Sequence, residues 1–462
     1  MKKKYFLYTG FFFVLCLLPL IGMAVPGREA ASENRTLAKA PVLKNEDGWN
    51  LYFLSDAGAY FQDHFGFRQE LVTANALIRG NIFGVSAADG VIRGSDGWLY
   101  YRDSLNDYLG TGQMSERALF NVAHSLAMMQ EYVERQGAKF LFTIAPNKNS
   151  LYGEHMPYYD SRKVSDEKNL TRIRSWLEKE GVQYVDLYRV LSEQEEVLYH
   201  KRDSHWNNKG AALAADTLLN ALGKEHLTLT EAPYEVRTDF TGDLDAMLYP
   251  LAVIPEEEIY YDGLDRFAYV GEVESTFDPR ITTVNPGAGG SLVMYRDSFG
   301  NALLPFLANQ YGDAWFSRGI PYQMTDLAAH GADTVIVERA ERFLPEMAEN
   351  PPQMEGRLML PEGEIIREAA KVSRLRAEQQ GAYVKLSGAV DEAYLENDSR
   401  IGVRVNGNVY EAFPATVTVE DESRDGGFVL YLASDAWKDG GEEIDILIQK
   451  GDTWYEIGGC VM

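Results

Sequence analysis

SLVMYRDSFGNALLPFLANQYG, Ser291 to Gly312, passes from an apolar strand through Arg296-Asp297-Ser298 into a helical segment. A run this continuously apolar fits a strand covered on both faces, which is the habit of parallel sheets flanked by helices. The alternation recurs along the chain. AKFLFTIAPN, Ala138 to Asn147, is followed by a helical pattern over Asp166 to Glu180, by VQYVDLY, and by a helix from Asn207 to Leu222 stopped at Gly223. ADTVIVERAER, Ala332 to Arg342, adds another buried strand, and a helix over Met114 to Arg135 precedes the first of them. The spacing predicts an α/β domain with a parallel sheet and helices on both faces. Such sheets take ligands outside the carboxyl ends of their strands. Asn147, Ser298 and Glu338 fall at or just beyond those ends.

Outward from this core the texture changes on both sides. Past Pro352, AYVKLSG, RIGVRVNGNVYEAF, ATVTVED, GFVLYLA and EEIDILIQKG alternate in short runs between Asn-Gly, Asp-Gly and Gly-Gly turns, which predicts a smaller all-β sandwich. Upstream, Leu51 to Gly84 is apolar at helical spacing, broken near Phe65-Gly66-Phe67. The first residues, Met1-Lys2-Lys3-Lys4, precede an almost uncharged apolar run from Tyr5 to Val25, read as a signal anchor or a signal peptide cleaved near Gly22-Met23-Ala24. The division that follows is 1–25 signal segment, 26–50 linker, 51–350 catalytic α/β domain, and 351–462 β-sandwich. Everything after Pro26 is expected outside the cytoplasm, either membrane-anchored or secreted. Cys16 lies within the apolar run, so Cys460 alone remains outside it and no intrachain disulfide is expected there.

With 462 residues, 45% of them hydrophobic, the chain has material for more than one domain. Its formal net charge of -25 supplies no general basic surface, which argues against nucleic acid or an anionic membrane as partner.

Two stretches carry chemistry. Ser298 stands where a strand turns into a helix, beside backbone N–H groups suited to an oxyanion. In KRDSHWNNKG, Asp203 and His205 are two residues apart at the mouth of a helix, so in an extended segment the carboxylate reaches the imidazole. A serine hydroxyl needs a base, and the base needs an orienting acid. Asp203, His205 and Ser298 are therefore the candidate catalytic residues, beside plainer readings as a helix cap and a structural turn. A metal at Asp203 and His205 is the weaker alternative, with no second His or Cys cluster nearby in sequence to complete it. Neither a metal nor another cofactor is expected. Of the remaining histidines, His64 and His155 merit inspection.

ENRTLAKAP (Glu33 to Pro41), DHFGFRQELV (Asp63 to Val72), GSDGWLYY (Gly94 to Tyr101), APNKNSLY (Ala145 to Tyr152), DSHWNNKGA and YRDSFGNALLPFLA together resemble the DHHW and AlgX/AlgJ-type proteins, SGNH-hydrolase-like O-acetyltransferases of exported polysaccharides. The resemblance covers roughly Glu33 to Arg342. The family's Asp-x-His-Trp motif matches Asp203-Ser204-His205-Trp206, and its nucleophile motif matches Asp297-Ser298-Phe299. The order is permuted relative to ordinary SGNH hydrolases, whose serine comes first. Arg296-Asp297 stand where a Gly commonly precedes the serine. Asn147, Lys148, Tyr152, Trp206, Arg318 and Arg339 are candidate substrate-binding residues.

The resemblance implies ping-pong transfer of an acetyl group through the serine onto a hydroxyl of a cell-surface or secreted polysaccharide. It also implies an MBOAT-type membrane acyltransferase as the partner that delivers the acetyl group. Two alternatives remain at this level: a carbohydrate acetylesterase with the same triad, and a non-catalytic glycan-binding surface protein.

Overall fold

The computed structural model describes residues 2–23, 37–45, 48–371, 373–437 and 444–459. The signal-cleavage reading at Gly22-Met23-Ala24 falls partly outside the described residues, and residues 26–36 and Cys460 fall wholly outside them. Helix α1 spans Lys2–Met23. Among the described residues no helix is long and apolar enough to cross a membrane. Helices α2 (Phe53–His64) and α3 (Arg68–Phe83) follow, and the break falls at Phe65-Gly66-Phe67, where Phe67 adopts a left-handed backbone.

The α/β region is built on a seven-stranded sheet. Its strands are β1 (Lys139–Ala145), β2 (Tyr184–Val185), β3 (Ala268–Tyr269), β4 (Arg280–Val284), β5 (Ser291–Tyr295), β6 (Asp313–Ser317) and β7 (Thr334–Ala340), in the spatial order β2-β1-β7-β5-β6-β4-β3. The five strands from β2 to β6 run parallel, as the continuous apolar runs predict. The sheet is nevertheless mixed, because β4 and β3 pair antiparallel at its edge. β4 alternates buried and less buried residues, the mark of a strand covered on one face.

Successive residues of the central strands point to opposite faces and so enter two separate cores. Phe140, Phe142, Val293, Tyr295, Val335 and Val337 pack on the side of helices α4 (Glu116–Arg135) and α5 (Asn169–Lys179). Leu141, Leu292, Met294 and Ile336 pack on the side of α6 (Asn208–Ala221) and α8 (Gly300–Ala308). A short helix α7 (Asp243–Leu248) lies between α6 and α8 in sequence and joins a third cluster, in which Leu244 and Leu248 meet Ala76 of α3.

The C-terminal strands are β8 (Glu364–Lys371), β9 (Ser373–Gln380), β10 (Tyr383–Ala389), β11 (Ile401–Val405), β12 (Asn408–Val419), β13 (Glu422–Ala433), β14 (Ile444–Lys450) and β15 (Thr453–Gly459). They form one sheet, ordered β8-β15-β14-β11-β12-β13-β10-β9, antiparallel except for β8 with β15. Both halves share a single core, including Leu386 and Leu430 from one and Val403 and Ile446 from the other, so the sheet folds over itself through the long strand β12. Phe413, Ala415, Val429 and Tyr431 face the other way and complete the core around α4. The β region is thus packed onto the α/β region.

Candidate active site

Strands β1, β5, β6 and β7 end side by side, with Tyr295 opposite Ser317 and Val337, and Ala340 opposite Ala145. Immediately beyond β5, Ser298 sits in the turn that leads into α8. Two residues brace this turn. Asp297 is buried, and its Oδ1 accepts the Phe299 N–H at 2.9 Å while its Oδ2 accepts the Ala340 N–H at 2.7 Å. Arg296 donates to Asn301 and, at 2.9 Å, to the Thr276 carbonyl. The Arg-Asp pair therefore supplies by hydrogen bonding the rigidity that a tight glycine turn would give. Among the described residues the Ser298 N–H finds no acceptor, which leaves it open to an oxyanion, whereas the Phe299 N–H is taken.

His205 approaches from the segment before α6. Its Nε2 lies 2.9 Å from Ser298 Oγ and its Nδ1 lies 2.8 Å from Asp203 Oδ1. With the proton on Nδ1, Nε2 is free to accept from the serine hydroxyl. The three residues read from the sequence thus meet, in the order acid, imidazole, hydroxyl.

Burial opposes charge on all of these groups. For Asp203 the desolvation penalty is outweighed by the charge and hydrogen bond of His205 and by the N–H groups of Asp243 and His205, which hold its carboxyl well below the usual range. For His205 burial alone would lower the pKa. Asp203 overcomes it, with a further contribution from Asp243, and the imidazole is held above its ordinary value.

Asp243, at the start of α7, is a residue that sequence reasoning missed. Its N–H donates to Asp203 Oδ2 at 2.7 Å, and its carboxylate accepts from the Ser204 N–H at 2.8 Å and from Ser204 Oγ at 2.6 Å. Its Oδ2 is 3.8 Å from His205 Nδ1. Gly242 makes this approach possible, since a Cβ there would lie 2.2 Å from the Arg202 carbonyl oxygen. Asp203, His205 and Asp243 offer ligand atoms within 4.8 Å of one another. Both oxygens of each carboxylate already accept hydrogen bonds, so the cluster is built as a bonded network rather than an open chelate.

Arg342 was also missed. It follows β7, and its guanidinium lies 5.4 Å from the Tyr101 ring centre, 5.5 Å from Phe299 and 4.7 Å from Phe343. Its positive charge opposes protonation of His205.

The six candidate substrate-binding residues separate. Lys148 is buried, and its Nζ donates to the carbonyls of His200 at 3.1 Å, Lys201 at 3.0 Å and Asp203. Burial lowers its pKa to about 8 against the pull of Asp203, Asp243 and Glu256. Asn147 is buried and bonded to Asp107 and Glu341. The Tyr152 hydroxyl accepts the Leu198 N–H. Trp206 is 2% exposed and stands edge-on to Phe299 at 4.9 Å, so its ring face is spent on packing. Arg339 is buried and paired with Glu346. Arg318 is half-buried and bonded to the Phe277 carbonyl at 3.2 Å. Lys148, Asn147, Trp206 and Arg339 are all buried: Lys148 and one face of Asn147 are bonded within the protein, while Asn147 Oδ1, Trp206 Nε1 and Arg339 Nε have no partner among the described residues. The two other histidines are also accounted for: His64 stacks on Tyr60 and His155 on Trp98.

Residues 91–255 match the family model described as the SGNH hydrolase-like domain of acetyltransferase AlgX. This range contains Asp203 and His205 and ends before Ser298. The chain is 28% identical over 175 residues to the probable alginate O-acetylase AlgJ of Pseudomonas syringae pv. tomato, an alignment that covers 37% of this chain and 42% of that protein's length. Among solved structures, Bacillus cereus PatB1 aligns with 17% identity over 55% of this chain and 96% of its own, with a TM-score of 0.43. A DHHW family protein from Eubacterium siraeum aligns with 17% identity over 48% of this chain and 85% of its own, with a TM-score of 0.40. The resemblance carried by the motifs therefore holds, and through residues 91–255 the chain is similar to the SGNH hydrolase-like, AlgX/AlgJ-type acetyltransferase family.

Proposed function

We propose that this chain is an extracytoplasmic polysaccharide O-acetyltransferase that works through a serine acyl-enzyme. The observation that carries the reading is the continuous line from Asp203 through His205 to Ser298, with contacts of 2.8 and 2.9 Å, at the carboxyl ends of the parallel strands. The AlgX-family match over the segment that holds Asp203 and His205 supports it. In the first half-reaction His205 Nε2 takes the proton of Ser298 as Oγ attacks the acetyl carbonyl, and the Ser298 N–H donates to the oxyanion. The leaving group departs with that proton. In the second half, a sugar hydroxyl gives its proton to His205, attacks the acetyl-serine, and the proton returns to Ser298. The catalytic unit is residues 51–350, the β-sandwich is residues 351–462, and the acetyl donor is a membrane acyltransferase of the MBOAT type.

The test is the intact mass of the protein after brief exposure to an activated acetyl ester. One acetyl increment mapping to Ser298, absent from Ser298→Ala, is expected. Release of that acetyl group to an oligosaccharide rather than to water then separates a transferase from an esterase. Absence of an adduct in the wild type overturns the reading.

A further inference from the structure

The consecutive helices α2 and α3 leave most of their large apolar side chains uncovered. Helix α2 buries no residue, and the residues that α3 buries are Thr73, Ala76 and Gly80, all small. These seat α3 against α7 and its neighbours: Ala76 joins Leu244 and Leu248, and Thr73 Oγ1 accepts the Leu251 N–H. The large apolar side chains point outward, with Leu54 84% exposed, Ile78 53%, Ile82 69% and Phe83 67%. A water-facing surface helix normally shows the opposite arrangement, and large apolar side chains exposed together on one segment mark a contact surface.

Helix α1 supplies the clue to what covers it. Beyond Lys4 its described side chains are mostly apolar and exposed, among them Phe6 at 82% and Leu7 at 72%. Its far end, Gly22, packs so closely on the corner between α2 and α3 that a Cβ there would lie 2.6 Å from Gly66 Cα. The two exposed apolar sets thus meet at one point. We propose that α2 and α3 lie on the face of a lipid bilayer, with their outward side chains in its interfacial layer and with α1 continuing the same lipid-contacting surface. Acidic residues, Asp56, Asp63 and Glu70, interrupt the two helices, and the chain is strongly acidic as a whole. The two arginines of α3, Arg68 and Arg79, do not outnumber these carboxylates, so there is no basic excess of the kind that draws a helix to anionic lipid, and the contact is one of apolar insertion. Since α3 packs on α7, and α7 begins at Asp243, the bilayer face is one helix removed from the candidate active site. This placement does not depend on the acyl-transfer reading.

The test uses the full chain, with Cys16 and Cys460 replaced by serine, in phosphatidylcholine nanodiscs. A bimane label is placed in turn at Leu54→Cys, Ile82→Cys and, as a control on the β-sandwich, Glu422→Cys. Brominated lipid is expected to quench the labels at positions 54 and 82 by about twofold or more, as befits side chains a few ångströms below the headgroups, and to leave position 422 unchanged. Raising the salt concentration is expected to leave the quenching as it is. Equal quenching at all three positions, or none at 54 and 82, overturns the proposal. Protection of 54 and 82 from a soluble quencher that appears only when membrane proteins are present also overturns it, in favour of a protein partner. Loss of acetylation at Ser298 would instead count against the enzymatic reading and leave this result untouched.

Discussion

Asp203 is held from across the fold by Asp243, whose backbone N–H donates to the far oxygen, Oδ2, at 2.7 Å, while His205 occupies Oδ1. The acid that orients the imidazole is thus itself oriented. The same Asp243 fixes Ser204 through both its N–H and its hydroxyl, so one residue of α7 holds two consecutive residues of the segment from Asp203 to His205.

Removing that support is expected to damage turnover more than binding. Asp243→Ala should lower kcat for acetyl transfer roughly a hundredfold through misplacement of the base, with KM little changed, and Asp243→Asn should recover part of the loss by keeping an acceptor for Ser204. Gly242→Ala should behave like the alanine variant, since its Cβ would drive the Asp243 backbone away from Arg202 and Asp203. Steady-state kinetics with a chromogenic acetyl ester checks both. Unchanged kcat in Asp243→Ala would remove the Asp243 carboxylate from the machinery.

The pH profile follows from the two charges on either side of His205. The base acts as the neutral imidazole, and its pKa lies above the ordinary 6.5, so kcat/KM is expected to rise through a limb above pH 6.5. Arg342 works against protonation, so Arg342→Gln should move that limb to higher pH. Asp203 favours protonation, so Asp203→Asn should move it lower, with a loss of roughly 10⁴-fold if the acid also sets the tautomer. A limb that stays in place in both variants would show that His205 is not the titrating group.

The parts of this site that were legible in the sequence are those whose chemistry is local. Asp203 and His205 are two residues apart, so their pairing follows from the geometry of an extended segment. Ser298 announces itself by the change from an apolar strand to a helix. Helices α4, α5 and α6 begin within three residues of where their periodicity places them, because a buried face imposes its 3.6-residue repeat. Asp243 and Arg342 left no such trace. Each is a single polar residue beside a short element, and each is tied to the site by contacts across the fold. Gly242, directly before a helix start and crowded by Arg202, was the available signal for the first. The edge strands β3 and β4 escaped for a different reason: β3 has two residues, and β4, Arg280 to Val284, carries too few apolar residues to stand out from a loop. Trp206 was open to being read as a sugar platform because a motif shows an aromatic without showing that Phe299 already covers it.

Lys148 gives a separate test of support from beneath. Its ammonium is the shared donor to three carbonyls in the segment that leads to Asp203. Lys148→Met keeps the length of the stem but takes the ammonium from the buried carbonyls of His200 and Asp203, while the Lys201 carbonyl keeps the Leu99 N–H. It is expected to cost about 3 kcal/mol of stability, at the upper end of the penalty for an unmet buried group, and to slow acetylation of Ser298. Chemical denaturation and the acetylation rate measured together check this. A stable but slow variant would assign Lys148 to the site alone, and an unstable variant with normal acetylation would assign it to the fold alone.

The junction between the α/β and β regions is expected to carry its own pH dependence. His124 of α4 is buried, with Nδ1 2.7 Å from Glu180 and Nε2 3.1 Å from Glu411 of β12. Phe120 stacks on its ring, and Arg357, itself paired with Glu131, also binds Glu411, with Arg400 3.8 Å away. Burial would lower the His124 pKa, but the two glutamates outweigh it and raise it above 6.5. A raised imidazole pKa stabilises the fold fully below 6.5 and loses that contribution as the pH rises through the folded-state value. Glu411 runs the other way. Despite its burial, His124 and Arg357 draw its pKa down to about 2, so its contribution is complete above 4.5 and is lost as the pH falls toward 2. The combined contribution is therefore complete between pH 4.5 and 6.5. His124→Gln leaves Glu411 and Glu180 without their shared cation and is expected to cost about 3 kcal/mol within that window, as for a broken buried pair, with a smaller cost at higher pH where the wild type has itself lost the proton. Denaturation curves of wild type and variant across pH 4 to 9, the span in which ordinary carboxylates and imidazoles titrate, measure the difference directly. A difference that stays constant through the imidazole range would show that His124 fills space at this junction without bearing charge.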